Sequence, residues 1–223
     1  MIGSRPLLIL VHGWGFDAGF WQPLRACLPE YDCRCLDFGF FGPPTPIPEL
    51  VPELAPGQPV VAIGHSLGAQ WLLAMRPLAW SALVAINGFP RFTEAPGYTP
   101  AVPARPLERM IRRLPQAPEV TTEAFRRRCG CAEPLPGLPN PARLLEGLGW
   151  LRDLDGRSHD HDAPILALSG GADPILPPGM AENCWSGFTT VERHELASAG
   201  HLLPLEHPQW CAERLTSWLA GNS

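Results

Sequence analysis

The chain turns sharply at Gly64-His65-Ser66-Leu67-Gly68, and this turn constrains the fold more than any other stretch. An apolar run, Val60-Val61-Ala62-Ile63, precedes it. A helix-compatible run, Ala69-Gln70-Trp71-Leu72-Leu73-Ala74-Met75, follows it. Strand, G-x-S-x-G and helix in that order is the context of a nucleophile elbow. The turn is so tight that Ser66 must take a strained backbone. Side chains at positions 64 and 68 would collide with the neighbouring strand and helix. The expected result is an exposed Ser66 hydroxyl at the start of a helix, whose dipole favours the negative charge of an acyl-transfer intermediate. A glycine-bordered turn with an incidental serine is the competing reading, and the partners of Ser66 decide between the two.

Short apolar runs recur along the chain. Leu7–Val11, Val60–Ile63, Ala82–Ile86 and Ile165–Leu168 read as buried strands, and Arg34–Leu36 as a weaker one ending at Asp37-Phe38-Gly39. A sixth, Thr189–Glu192, rests mainly on its β-branched residues. Continuous rather than alternating apolar runs imply burial on both faces. Alternation with helices, the last from about Gln209 to Leu219, implies a mostly parallel, doubly wound α/β sheet of about six strands. Ligands then collect beyond the carboxyl ends of the strands. The stretch from Pro90 to about Gly156 carries helix-like segments and prolines but no convincing strand. It is expected to be a helical cap (90–156) inserted into a core of residues 1–89 and 157–223.

Composition narrows the chemistry. A 223-residue chain that is 45% hydrophobic suits one core. All 17 basic residues are arginine, which removes Schiff-base lysine chemistry. The net charge of −5 argues against nucleic acid as the main partner. The seven cysteines include Cys33-Arg34-Cys35 and Cys129-Gly130-Cys131 but no C-x-x-C pair, so reduced thiols are expected rather than zinc. Leu7–Val11 is too short for a signal peptide, and no segment is long enough to span a membrane. The expectation is a cytoplasmic protein with no metal or cofactor.

A serine hydroxyl needs a base to remove its proton, and the base is usually a histidine oriented by a buried carboxylate. In hydrolases built on such an elbow the chain order is serine, acid, histidine. Asp173, shortly after the fifth strand, is the candidate acid. His201, in Ser198-Ala199-Gly200-His201-Leu202 before the final helix, is the candidate base. His159 and His161, with Asp160 and Asp162, read as a polar linker. His194 is expected to close the sixth strand, His207 to help start the last helix, and His65 to point away from the nucleophile. Asp37 could be structural. Two backbone N–H donors are needed for an oxyanion hole. Leu67, after the nucleophile, is one candidate, and Trp14, in His12-Gly13-Trp14-Gly15 after the first strand, is the other.

These features together resemble the α/β-hydrolase superfamily over nearly the full chain. His12-Gly13-Trp14-Gly15 with the distal Trp21, the elbow, Leu144-Leu145-Glu146-Gly147-Leu148, and the Gly-x-x-Asp and Gly-His loops narrow the resemblance. They resemble the pimeloyl-[acyl-carrier protein] methyl ester esterases of biotin synthesis. The resemblance implies removal of a methyl group from a carrier-bound dicarboxylate ester, and it makes Phe125 a substrate-contacting aromatic. One departure is that the superfamily usually has two strands before the one leading to His12. Their absence here predicts an uncovered sheet edge.

Between Arg105 and Arg143 stand eight arginines and four glutamates, a local balance of +4 in an acidic protein. At helical spacing Arg105, Arg109, Arg112 and Arg113 share one face, and Leu107, Met110, Ile111 and Leu114 share the other. An acidic acyl-carrier protein could dock on the basic face, and a solvated face without a partner is the competing reading. The expected activity is that of a serine carboxylesterase on this carrier-bound methyl ester. The alternatives are a general short-chain carboxylesterase or thioesterase, a triad-bearing lyase of the menaquinone-pathway type, and a binding protein that kept the fold.

Overall fold

The computed structural model describes residues 5–45, 58–157 and 163–222; His159, Asp160, His161 and Asp162 lie outside them. Six strands form one sheet: β1 (Leu7–Val11), β2 (Cys33–Leu36), β3 (Val60–His65), β4 (Ala82–Ile86), β5 (Ile165–Gly170) and β6 (Val191–Leu196). Their order is β2-β1-β3-β4-β5-β6, and every pairing is parallel. All positions of β1, β3 and β4 are buried. Runs of Leu, Ile, Val and Ala without alternation have no side to offer water, so they fit only a sheet covered on both faces. Each such Leu, Ile or Val stabilises the fold by roughly 1.5–3 kcal/mol on burial.

Strand register decides where the loops emerge. Val11 pairs with Gly64, His65 with Ile86, Ile86 with Leu168, and Gly170 with Leu196. The strands therefore finish level, and the residues that follow leave the sheet at one end. Strand order reverses between β1 and β3, so the loops after these two strands flank the crevice where such sheets bind ligands.

The sixth strand differs from expectation. It runs over Val191–Leu196 rather than Thr189–Glu192, and His194 lies inside it, paired with Glu192 at 2.7 Å, instead of closing it. This edge strand carries Glu192, Arg193, His194 and Glu195, most of them exposed, so no apolar run marked it. β2, with three half-buried residues, forms the opposite edge.

A 3-10 turn (Ala18–Trp21) leads into α1 (Gln22–Ala26), and α2 (Leu67–Met75) follows the elbow. The last three helices are α6 (Met180–Asn183), α7 (Leu203–Glu206) and α8 (Pro208–Gly221). His207 precedes α8, but its side chain makes no capping bond. Between β4 and β5 lie α3 (Ala104–Arg113), α4 (Pro118–Cys129) and α5 (Pro141–Asp153), with only two isolated bridges among the described residues there. Local chemistry sets their ends. Gly130, at φ 103°, stops α4, and the Asn140 side chain accepts the Arg143 N–H ahead of Pro141 to start α5. On α3, Arg105, Arg109, Arg112 and Arg113 are exposed while Leu107 is buried. No helix of the described residues is long and apolar enough to cross a membrane.

Candidate active site

Ser66 sits at φ 51°, ψ −118°, outside the wells open to ordinary residues, at a cost of about 1–3 kcal/mol. The surroundings over-determine this conformation. Its N–H donates to the Ile86 carbonyl at 3.1 Å, and its carbonyl accepts from Ala69 at 3.0 Å. A Cβ on Gly64 would lie 2.4 Å from the Ala69 backbone, and one on Gly68 would lie 2.1 Å from the Val11 carbonyl oxygen. The two glycines thus let α2 press against both β3 and β1. Leu67 is the first residue of α2, so its N–H has no acceptor within the helix.

Asp173 and His201 meet beyond β5. His201 Nδ1 donates to Asp173 Oδ2 at 2.7 Å, and both side chains are almost wholly buried. Asp173 Oδ1 accepts from the Ile175 N–H at 2.7 Å and the Leu176 N–H at 3.2 Å. Asn87 Nδ2, at the end of β4, donates to Asp173 Oδ2 at 2.9 Å. Burial opposes ionisation of Asp173, yet His201 and these donors hold its carboxyl below the usual range. With Nδ1 committed to the carboxylate, Nε2 of His201 is the nitrogen able to take a proton.

The loop after β1 is built around His12. Its Nε2 accepts the Phe38 N–H at 3.2 Å, so Nδ1 is the protonated nitrogen that donates to the Gly13 carbonyl at 2.9 Å. Gly13 lies close to the elbow, since a Cβ there would be 3.2 Å from Ser66 Cβ. Trp14 is fixed by its indole N–H on the Leu144 carbonyl at 2.8 Å and by Phe125, edge-on at 5.0 Å. Among the described residues its backbone N–H is matched to no backbone carbonyl. Asp37 braces the same region, accepting from the Ala18 and Gly39 N–H groups.

Two buried groups complete the surroundings. His65 stacks on Phe20 at 4.5 Å, and its Nε2 donates to the His201 carbonyl at 2.9 Å. Its Nδ1 has no partner. Burial drives its pKa down from 6.5 to about 3, so it is neutral at working pH. Arg126, on α4, is buried with no carboxylate partner among the described residues. It lies over Phe16 at 4.7 Å and donates to the carbonyls of Gly15 at 3.1 Å and Pro134 at 3.1 Å.

A groove of about 410 Å³ opens between α3 and α4, lined by Arg109, Arg113 and Arg128 together with Met110 and Phe125. It adjoins a small apolar pocket lined by Phe92, Leu107, Leu151 and Ile175. Ile175 is the residue whose N–H holds Asp173. A larger hollow of about 480 Å³ lies beside Glu123 and Glu133, and none of these three hollows has Ser66, Asp173 or His201 in its lining.

Residues 8–214 match the model of the alpha/beta hydrolase family. The chain belongs to this family. Among relatives of this α/β hydrolase, a pimeloyl-[acyl-carrier protein] methyl ester esterase from Methylococcus capsulatus is 28% identical, over 99% of this chain and 97% of that protein. One from Photobacterium profundum is 27% identical, over 97% and 96%. An esterase structure from Exiguobacterium antarcticum superposes with a TM-score of 0.80 at 18% identity, covering 98% of this chain and 93% of that one.

The structure of this α/β hydrolase brings Asp173 to His201, sets Trp14 against Phe125, and turns Ser66 and Leu67 at the elbow. Arg109 and Arg113 line the groove, whereas Arg105 and Arg112 do not. Asp153 pairs with Arg152, and Asp155 pairs with Arg157 and Arg91. Asn87 and Arg126 went unrecognised in the sequence. Asn87 follows the Ala82–Ile86 run without a motif of its own, and Arg126 is one of three consecutive arginines with nothing to mark it as buried. Among the described residues all seven cysteines are free, and no group of three or more His, Cys, Asp or Glu side chains could hold a metal.

Proposed function

We propose that this α/β hydrolase is a serine carboxylesterase that removes the methyl group from a pimeloyl chain held on an acyl-carrier protein. Ser66 Oγ attacks the ester carbonyl carbon as its proton passes to His201 Nε2, and Asp173 stabilises the imidazolium. The Trp14 and Leu67 N–H groups bind the oxyanion. Collapse of the tetrahedral intermediate breaks the C–O bond, and His201 returns the proton to the departing alkoxide, giving methanol. A water molecule then attacks the acyl-Ser66 carbonyl, losing its proton to His201. The carboxylic acid leaves, and Ser66 regains its proton.

The observation that carries this reading is the groove between α3 and α4. Three arginines and the apolar Met110 and Phe125 line it, and the small apolar pocket beside it includes Ile175, whose N–H holds Asp173. Residues 90–156 act as its cap, Phe125 as the aromatic wall beside the acyl chain, and Arg105, Arg109, Arg112 and Arg113 as the landing surface for an acidic carrier. The names of the full-length relatives point to the same substrate. Such a substrate belongs in the cytoplasm. The test is hydrolysis of carrier-bound methyl pimelate and rescue of a biotin auxotroph lacking its esterase, with Ser66→Ala as control. Ser66→Ala should lose on the order of 10⁴-fold in turnover while staying folded. Efficient cleavage of short acyl esters or thioesters, without rescue, would replace this reading with a general esterase.

A further inference from the structure

We propose that Asn87 is a positioning residue for this active site, a crosspiece that holds the acid loop and the base loop in register. The inference rests on the reading of Ser66, Asp173 and His201 as the catalytic set. The Asn87 amide nitrogen donates to Asp173 Oδ2 at 2.9 Å and to the Gly200 carbonyl at 3.3 Å. Gly200 immediately precedes His201. One amide hydrogen therefore goes to each loop. Both partners are acceptors only, so a flipped amide would set its oxygen against two oxygens, and chemistry fixes the orientation.

Packing alone does not explain this residue. Asn87 is 1% exposed, and its Oδ1 is buried with no partner. An orphaned acceptor of this kind costs about 1–3 kcal/mol, which an apolar side chain would avoid. The backbone is anchored as well. Asn87 sits at φ 46°, a conformation asparagine tolerates better than most residues, and its N–H donates to the Leu168 carbonyl at 2.7 Å. The amide is thus mounted on the rigid end of β4 and braced against β5, while the two groups it joins are on loops.

The chemical consequence falls on Oδ2. That oxygen receives both His201 Nδ1 and Asn87 Nδ2. A second donor draws charge from the oxygen and makes the carboxylate less basic toward the imidazolium. Losing the amide would therefore strengthen the hold of Asp173 on protonated His201, and would let the histidine shift. The other titratable groups around the pair are His65 beneath His201, Cys129 and Arg128 on α4, and Glu206, whose carboxylate accepts the Gly200 N–H at 3.1 Å. None of them bridges the two loops.

The experiment uses Asn87→Gly, which keeps the left-handed backbone, and Asn87→Ser, which keeps one donor. Thermal melting confirms that each is folded. Asn87→Gly should lower kcat about ten- to hundredfold, the scale of one hydrogen bond to a charged group, with KM changed by no more than about twofold. The acid limb of its kcat/KM profile should move up by roughly half a pH unit or more. The downfield proton resonance of His201 Nδ1–H should shift with it, and Asn87→Ser should fall between Asn87→Gly and the parent in all three readouts. An acid limb and a resonance both unchanged in either folded variant overturn the proposal. The resonance is read without substrate. If fluorophosphonate fails to label Ser66, the esterase reading falls, and the resonance still decides the role of Asn87.

Discussion

His65 should make the stability of this protein depend on pH in a measurable way. The ring is fully buried between Phe20 and the His201 backbone, and burial lowers its pKa from 6.5 to about 3. The unfolded chain protonates this histidine near 6.5, whereas the folded chain refuses the proton until about pH 3. The stabilising contribution is therefore complete above pH 6.5 and is lost as pH falls toward 3. At 1.36 kcal/mol per pKa unit, going from pH 7 to pH 5 costs about 2 kcal/mol from this group alone. The perturbation is His65→Gln, whose amide nitrogen can take the place of Nε2 and still donate to the His201 carbonyl, but cannot titrate. Urea unfolding of both proteins at pH 7 and pH 5 isolates the effect, because other titrating groups contribute to both. The variant starts less stable, having lost its stacking on Phe20. Its free energy of unfolding should nevertheless fall by about 2 kcal/mol less than that of the parent between the two pH values. Equal falls would refute the reasoning and would mean that His65 is protonated, or reaches water, in the folded state.

Asp173→Asn should leave the fold intact and cost on the order of 10⁴-fold in kcat, because His201 loses the partner that fixes its tautomer; the loss is read with p-nitrophenyl esters. Reversing Arg109, Arg112 and Arg113 to glutamate should reduce kcat/KM on a carrier-bound ester but hardly on a small free ester. The difference should shrink as salt rises, since exposed charges are screened over about 8 Å at physiological ionic strength. Equal losses on both substrates would indicate a damaged groove. Gly68→Ala should destabilise the protein by about 3 kcal/mol or more in chemical unfolding, because the added methyl meets the Val11 and His12 carbonyls and not a side chain that can yield. A near-neutral Gly68→Ala would mean that α2 does not press on β1.

The centre of the fold was legible because its strands are buried on both faces. Leu7–Val11 and Ala82–Ile86 coincide with β1 and β4 to the residue, since an unbroken apolar run has only one environment that suits it. β6 was misplaced for the converse reason. An edge strand half in water can carry Glu192, Arg193, His194 and Glu195, and its pattern then resembles a loop. The elbow and the Asp173–His201 contact were readable because each is a short motif in a set chain order. Asn87 and Arg126 were not, because their importance comes from partners far along the chain, Gly200 for one and Gly15 for the other. A hydrogen bond that spans 111 residues leaves no periodic trace in composition or spacing.

The buried guanidinium of Arg126 has a consequence for molecular traffic. Helix α4 is riveted by it to the Gly15 carbonyl and the Phe16 ring, on the very loop that carries Trp14. A hinged movement of α4 would have to pull a cation out of this packing or drag the loop, with Trp14 on it, along with the helix. Helix α4 is therefore tied to the loop after β1 and would move only with it. In the proposed esterase the groove between α3 and α4, lined by Arg109, Arg113 and Arg128, would then be the way in for a carrier-bound acyl chain.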